Sequence, residues 1–326
     1  MTDFLDEDMD EILENMPDPY NTIEQEIEEE CKRMRTFTIR KIVVHDTCDE
    51  KILKIIKPGE YVFTDSKYDH FFLEGVTVCS VVGKNGCGKS SLIEILFRMV
   101  NNLGAMMLKE LDRPAAEMLY FIGGIVADLH FSIGDKQGML CCTRNTVALA
   151  HDGHSFEWNK QDGKCVYRIN GEEQQKNEFE VAKNVAAHFF YLISTNYSMQ
   201  AYIDADYRYE TIYSWQPKKD EYGKMLADYE WHREETGSWI NSVFHKNDGY
   251  MCPIVLNPYR NSGQIDMAKE AHLTTNRLCA LLLQSKNEYQ IVEGYRLVHI
   301  IYRFNQRYLL EKFDRQVLRD IPVESV

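Results

Sequence analysis

The chain has 326 residues, 44% of them hydrophobic, and a formal net charge of −14. That length and apolar content suit one large core-forming domain or two ordinary ones. No run of 18 or more apolar residues is present, and the first thirty residues are acidic rather than basic and then apolar. Together these exclude a membrane-spanning helix and a secretory leader, and predict a soluble, cytoplasmic protein with no membrane partner.

The charge is uneven. Residues 1–35 hold 13 Asp/Glu against 3 Lys/Arg, a net of −10 that leaves −4 for residues 36–326. The acidic leader is read as a solvated, partly helical or disordered segment, with one helix over Thr22 to Met34. The near-neutral body gives no average support for a basic nucleic-acid face. Nine cysteines without a CxxC pair predict reduced thiols, and His45, Cys48, His151, His154 and Cys165 fit no zinc spacing.

From Arg35 the pattern turns to short β-rich runs. TFTIRKIVVHD, EKILKII and, after the turn KPGEYVF, VTVCSVVG predict strands. Val76 to Val82 is nearly all apolar and predicts a strand buried on both faces of a sheet. The next segment, SSLIEILFRMVNNLGAMM, is apolar at 92, 93, 95, 96, 99, 100 and 103, which is helical spacing. Tyr120 to Ile169 divides at GDKQG, HDGH and KQDGK into pieces that predict antiparallel hairpins. A helix over EEQQKNEFEVAKNVAAHF leads to FFYLIST, a further buried strand. Beyond Asn196 the chain is tyrosine-rich and without a clean period until MCPIVLNPYRNSG, a strand entering a turn. IDMAKEAHLTTNRLCALLLQSK and EGYRLVHIIYRFNQRYLLEKFDRQV then predict two long helices. The domain reading is an acidic leader at 1–35, a lobe at 36–195, and a tyrosine-rich linker with helices at 196–326.

Between the predicted strand and helix, Gly83, Gly88, Lys89 and Ser90 satisfy GxxxxGK[ST]. Glycines at 83, 86 and 88 let successive N–H groups turn inward around phosphate oxygens, at the positive end of a helix dipole. Lys89 would reach the β and γ phosphates as the catalytic charge, and Ser90 would offer its hydroxyl to Mg²⁺. The nucleotide-binding set is therefore Gly83, Lys84, Asn85, Gly86, Cys87, Gly88, Lys89, Ser90 and Ser91, with Mg beside the nucleotide; the resemblance that follows implies ATP as that nucleotide.

GKNGCGKSSL resembles the GxNGxGKSxL loop of ABC-type ATPases, including SMC and RecF-like heads. The strand FTIRKIVV, its hairpin partner EKILKII and the strand before the loop are similar to the start of such heads. The hairpins of Tyr120 to Ile169 stand where those heads carry an antiparallel β-subdomain. The resemblance implies an α/β P-loop NTPase head lobe with a mixed sheet, followed by a helical arm. It implies an ATPase that dimerises, or forms a higher oligomer, on nucleotide and controls an effector such as a nuclease, a setting that RecF-like ATPases of anti-phage defence share. At the position of the family's Q-loop stands Asn196; a plain turn asparagine is the other reading.

Such heads need an LSGGQ-like signature, an apolar strand ending in Asp-Glu, and a switch histidine, and the first two are missing from these residues. Asp128 follows the apolar run GGIVA but belongs to a hairpin, which argues against it as the Mg²⁺ partner. Arg260, in a turn before a helix, suits a phosphate contact or a helix cap. Tyr295, Tyr302, Phe304, Tyr308 and Phe313, with Arg296, Arg303, Arg307 and Arg315, suit either a packed helix face or nucleic acid, which is kept as a further ligand class. The expectation is a first lobe and arm, with the second lobe truncated or supplied by another chain. The alternative function is a nucleotide-gated scaffold that holds ATP without hydrolysing it.

Overall fold

A computed structural model describes residues 37–64, 76–109, 118–199, 201–220, 222–244, 252–261 and 263–284. The acidic leader, the helix expected over Thr22 to Met34 and the stripe from Tyr295 to Arg315 lie outside the described residues.

The protein is mixed α/β, built on one eight-stranded sheet in the order β2-β1-β4-β5-β6-β7-β8-β9, antiparallel throughout. Its strands are β1 (Phe37–Val44), β2 (Gly59–Val62), β4 (Ala127–Ile133), β5 (Lys136–Cys142), β6 (Thr146–His151), β7 (His154–Asn159), β8 (Cys165–Ile169) and β9 (Glu172–Gln174). Alternation decides which face is buried. Ile42 and Val44 of β1, Leu129 and Phe131 of β4, Leu140 of β5, Val147 and Leu149 of β6, and Phe156 and Trp158 of β7 are all buried in one core. The tightest turns use residues that tolerate the left-handed region: Asp152 and Gly153 have φ of 48° and 77°, Asn170 and Gly171 of 51° and 89°. Positive φ at both central positions matches the twist of the flanking strands, which is why these runs fold back as hairpins.

The helix α2 (Lys89–Leu108) supplies the other side of that core, and every residue from Ile95 to Leu108 on it is buried. Each large apolar side chain so buried contributes about 1.5–3 kcal/mol. One buried polar residue on α2 is bonded on both sides of its amide. Asn102 donates to the carbonyl of Ile122 and accepts from its N–H, both at 2.8 Å, copying a strand edge with one side chain. That pins α2 to β3 (Phe121–Ile122), an edge strand of a three-stranded sheet.

Three expectations are corrected. EKILKII is not the hairpin partner of β1: Glu50–Leu53 is a short helix, α1, whose Ile52 and Leu53 are buried, and β2 is the partner. A run of apolar residues signals burial, but a single helical turn buries its Ile-Leu pair as well as a strand does. Val76 to Val82 is irregular apart from a bridge at Val76, with Val78 55% and Val82 86% exposed. Apolar content makes a two-faced strand only where strands lie on both sides, and the neighbours of β1 are β2 and β4. In EEQQKNEFEVAKNVAAHF the first three residues form β9, and the helix α3 (Glu178–His188) starts later, behind a capping box of Asn177 and Glu180.

After α3, the strand β10 (Leu192–Thr195) pairs in parallel with β13 (Ile254–Asn257). The aperiodic stretch between them holds a 3₁₀ turn at Asp204–Asp206 and the long hairpin β11 (Ile212–Lys219) with β12 (Met225–Glu234). A two-strand ladder, β14 (Arg260–Asn261) with β15 (Gln264–Ile265), follows. The helix α4 (Met267–Gln284) matches the first expected long helix, and from Ala268 it belongs to a separate compact unit. Among the described residues α2 is the helix long and apolar enough to cross a membrane, and 83% of its apolar window is buried inside the protein.

Candidate functional site

The site grows out of the start of α2. The first helix-closing bond runs from Leu92 N–H to the Gly88 carbonyl at 2.9 Å, so the amides of Lys89, Ser90 and Ser91 have no acceptor within the helix. Neither a capping side chain nor an acidic residue occupies the first turn of α2. The positive end of this 20-residue helix is thus left for an outside anion.

Gly88 and Gly86 give the loop its shape. They have φ of 94° and 78°, in the left-handed region where a Cβ is costly. A Cβ on Gly88 would also lie 2.8 Å from Cδ1 of Ile56, so the Ile55-Ile56 segment that follows α1 packs against the loop. Lys89 folds back over its own loop, its Nζ donating to the carbonyls of Gly83 at 2.7 Å and Lys84 at 2.9 Å. The ammonium therefore hovers at the centre of the turn that a phosphate would enter.

A cleft of about 530 Å³ opens beside this turn. Of the residues singled out from sequence, it brings together Lys89, Ser90 and Asn196, on α2 and at the end of β10. Gly83, Lys84, Asn85, Gly86, Cys87 and Gly88 form the adjoining turn, and Ser91 sits in the first turn of α2; none of these lines the cleft. Asn196 is held in place: its Oδ1 accepts from Ser198 N–H at 2.9 Å and its own amide donates to Asn257.

Three lining residues escape the sequence reading. Glu94 lies one turn beyond Ser90 on α2, and its carboxylate accepts from Lys54 Nζ at 2.8 Å, Arg98 Nη2 at 3.3 Å and Tyr207 Oη at 3.2 Å. Spacing of i to i+4 on a predicted helix was the available signal for Glu94. Asp206 and Tyr207 come from the aperiodic stretch DADYRYE, which carries no such signal. Burial pushes the Tyr207 phenol well up from its ordinary value, and neighbouring Glu94 adds to it, so this hydroxyl is a fixed donor.

Behind Glu94 lies a buried ion pair. Arg98 is fully buried and bidentate to Glu210, at 3.0 Å through Nε and 2.6 Å through Nη2, and Trp239 Nε1 donates to the same carboxylate at 2.9 Å. Burial alone would lower the Arg98 guanidinium, but Glu210 more than offsets it and the arginine stays charged. The cleft wall is therefore tied to the core through charge rather than apolar packing alone.

The remaining sequence candidates sit elsewhere. Asp128 is on β4, bonded to His45 Nε2 at 2.8 Å, and is absent from the cleft lining. Arg260 is buried and donates to the carbonyls of Asn196, Ser198 and Gly263 at 2.7–3.0 Å, so it braces the Asn196 turn and caps no helix. Among the described residues, no group of three or more His, Cys, Asp and Glu side chains is arranged to hold a metal ion by itself. Any Mg²⁺ here would depend on oxygens that a bound phosphate brings. No protein-family model, curated protein or solved structure matches the chain.

Proposed function

We propose that this chain binds ATP with Mg²⁺ at the start of α2, as a P-loop NTPase lobe of the ABC/SMC type, and hydrolyses it. The observation that supports the reading is the conjunction of Lys89 and Ser90, an uncapped helix start and a cleft of nucleotide size. In this reading the loop amides and Lys89 hold the phosphates, and Ser90 turns its hydroxyl toward the metal. Lys89 exchanges the carbonyls of Gly83 and Lys84 for phosphate oxygens, a like-for-like exchange of acceptors that leaves the loop shape in place. Mg²⁺ would draw charge from the phosphate oxygens and ease attack by water.

Bound nucleotide would close a dimer or higher oligomer, and turnover would reopen it, passing the change to an effector such as a nuclease. The cytoplasm and anti-phage defence are the setting that the motif resemblance suggests, with nucleic acid as a further ligand class. A second reading, ATP held as a gate without hydrolysis, is favoured by the state of Glu94: with Lys54, Arg98 and Tyr207 bonded to it, that carboxylate is not free to take a proton from water.

The test is ATP binding and ADP release by the wild-type chain and by Lys89→Ala. Binding and turnover lost in the variant support the enzyme, and binding without ADP release supports the gate. Equal binding by both proteins would sink the site assignment.

A further inference from the structure

Resting on the nucleotide reading, we propose that Asp206 is the carboxylate through which this protein engages the nucleotide's Mg²⁺. Two carboxylates line the cleft, Glu94 and Asp206, and their situations differ. Both oxygens of Glu94 are taken, by Lys54 and Arg98 on one and by Tyr207 on the other. Releasing Glu94 to a metal would strip two cations and a buried phenol of their acceptor. Asp206 accepts no side-chain hydrogen bond and pairs with no cation among the described residues, so nothing has to be broken before it turns to a metal.

The donor chemistry fits. Mg²⁺ takes hard oxygen ligands, keeps several waters, and is held by one or two carboxylates together with substrate phosphates. The cleft offers the Ser90 hydroxyl from the α2 side and the Asp206 carboxylate from the 3₁₀ turn Asp204–Asp206, with Lys89 beside them for the phosphates. The turn is well fixed for this task. Asp206 N–H donates to the Ile203 carbonyl at 3.0 Å, the next residue, Tyr207, is buried, and Asp204 is held by Arg208 in an ion pair. That leaves Asp204 and Asp206, two residues apart, in opposite roles: one closes the turn and the other lines the cleft.

An acidic metal partner need not follow an apolar strand if a polar turn carries one to the same cleft, and a periodicity search does not find it there.

The experiment titrates a fluorescent ATP analogue into the full chain in EDTA and again in excess Mg²⁺, for wild type, Asp206→Asn and Asp204→Asn. Wild type should bind more tightly with Mg²⁺, and Asp204→Asn should keep that gain. Asp206→Asn should bind like wild type in EDTA but lose the Mg²⁺ gain by roughly tenfold or more, the scale seen when a metal site loses a supporting group. Urea unfolding of Asp206→Asn should match wild type, since its carboxylate makes no bond within the described residues. A full Mg²⁺ gain in Asp206→Asn, or an equal loss in Asp204→Asn, overturns the inference while leaving nucleotide binding standing. No binding by wild type in either buffer overturns the nucleotide reading and this inference with it.

Discussion

The Nζ of Lys89 donates to the carbonyl oxygen of Gly83 at 2.7 Å, so the loop is closed on its own lysine before any anion enters. These bonds lie at the surface, where water competes for both partners. Removing a bond of this kind changes stability by about 0.5–1.5 kcal/mol. Lys89→Ala should therefore unfold in urea within about 1.5 kcal/mol of wild type, which makes its loss of nucleotide binding a statement about the site. A loss of several kcal/mol would show that the lysine holds the fold and not only the loop.

Gly88 and Gly86 share the left-handed region but not their surroundings. A Cβ on Gly88 meets Ile56 at 2.8 Å and Ile55 at 3.0 Å, while one on Gly86 meets nothing within 4 Å. Gly86→Ala should cost only the backbone strain, about 1–2 kcal/mol. Gly88→Ala should cost that plus the displacement of the Ile55 and Ile56 side chains, a further 1–3 kcal/mol or so from overpacking. Urea unfolding of the two variants gives the order, and Gly86→Ala proving the less stable would contradict the packing of Ile55 and Ile56 against the loop.

Arg98 and Glu210 form a pair in which neither partner can be removed cheaply. Arg98→Met leaves Glu210 buried with only Trp239 as donor, and Glu210→Leu leaves a buried guanidinium bound to Glu94 alone. Each single change should destabilise by about 3–5 kcal/mol, because an uncompensated charge stays in the core. The double change should cost clearly less than the two together, as both charges leave. A double-mutant cycle in urea measures that coupling, and additive losses would mean that the pair does not act as a unit.

What the sequence revealed and what it hid divide along physical lines. The hairpins from β4 to β8 were legible because turn residues such as Asp152-Gly153 punctuate alternating runs, and α2 because its apolar spacing repeats over five turns. The run Val76 to Val82 misled because apolar residues report a preference for burial, while the partner that would bury them lies elsewhere in the chain. β11 and β12 were missed because β12 is mostly exposed and Pro217 interrupts β11, so neither alternates cleanly. Lys89 and Ser90 stand out by the motif, since a glycine-rich turn before a helix is a local pattern. Asp206 and Tyr207 were not: their place at the cleft comes from the chain returning past α2, a long-range relation that leaves no spacing to read.

Cys87 offers a view of the loop that does not depend on turnover. It is exposed, whereas Cys48 and Cys142 are buried, and Cys141 and Cys165 are pushed up to about 12, first by burial and then by the nearby carboxylates of Asp128 and Glu178. Only the thiolate reacts with an alkylating agent. At mildly alkaline pH, iodoacetamide should label Cys87 well ahead of Cys48, Cys141, Cys142 and Cys165, and ATP with Mg²⁺ should slow that labelling specifically. Peptide mass mapping reads both rates, and a Cys87 rate indifferent to ATP would count against phosphate binding at this turn.

Tyr207 predicts how the fold responds to alkali. Burial, and then the Glu94 carboxylate, hold its phenol above the ordinary tyrosine value near 10. The folded state therefore resists losing this proton more than the unfolded state does. A group raised in the fold contributes its full stability below the unfolded value, and the contribution is lost as pH climbs past about 10 toward the folded value. Above that point Tyr207 alone should lower the unfolding free energy with a slope approaching about 1.4 kcal/mol per pH unit. Tyr202, raised mainly by burial, adds to the fall in the same direction. Tyr207→Phe should be less stable than wild type at neutral pH, having lost its bond to Glu94, yet decline less steeply between about pH 9 and pH 11. Urea midpoints across that window separate the two effects, and parallel curves for wild type and Tyr207→Phe would mean that the phenol is not held protonated against Glu94.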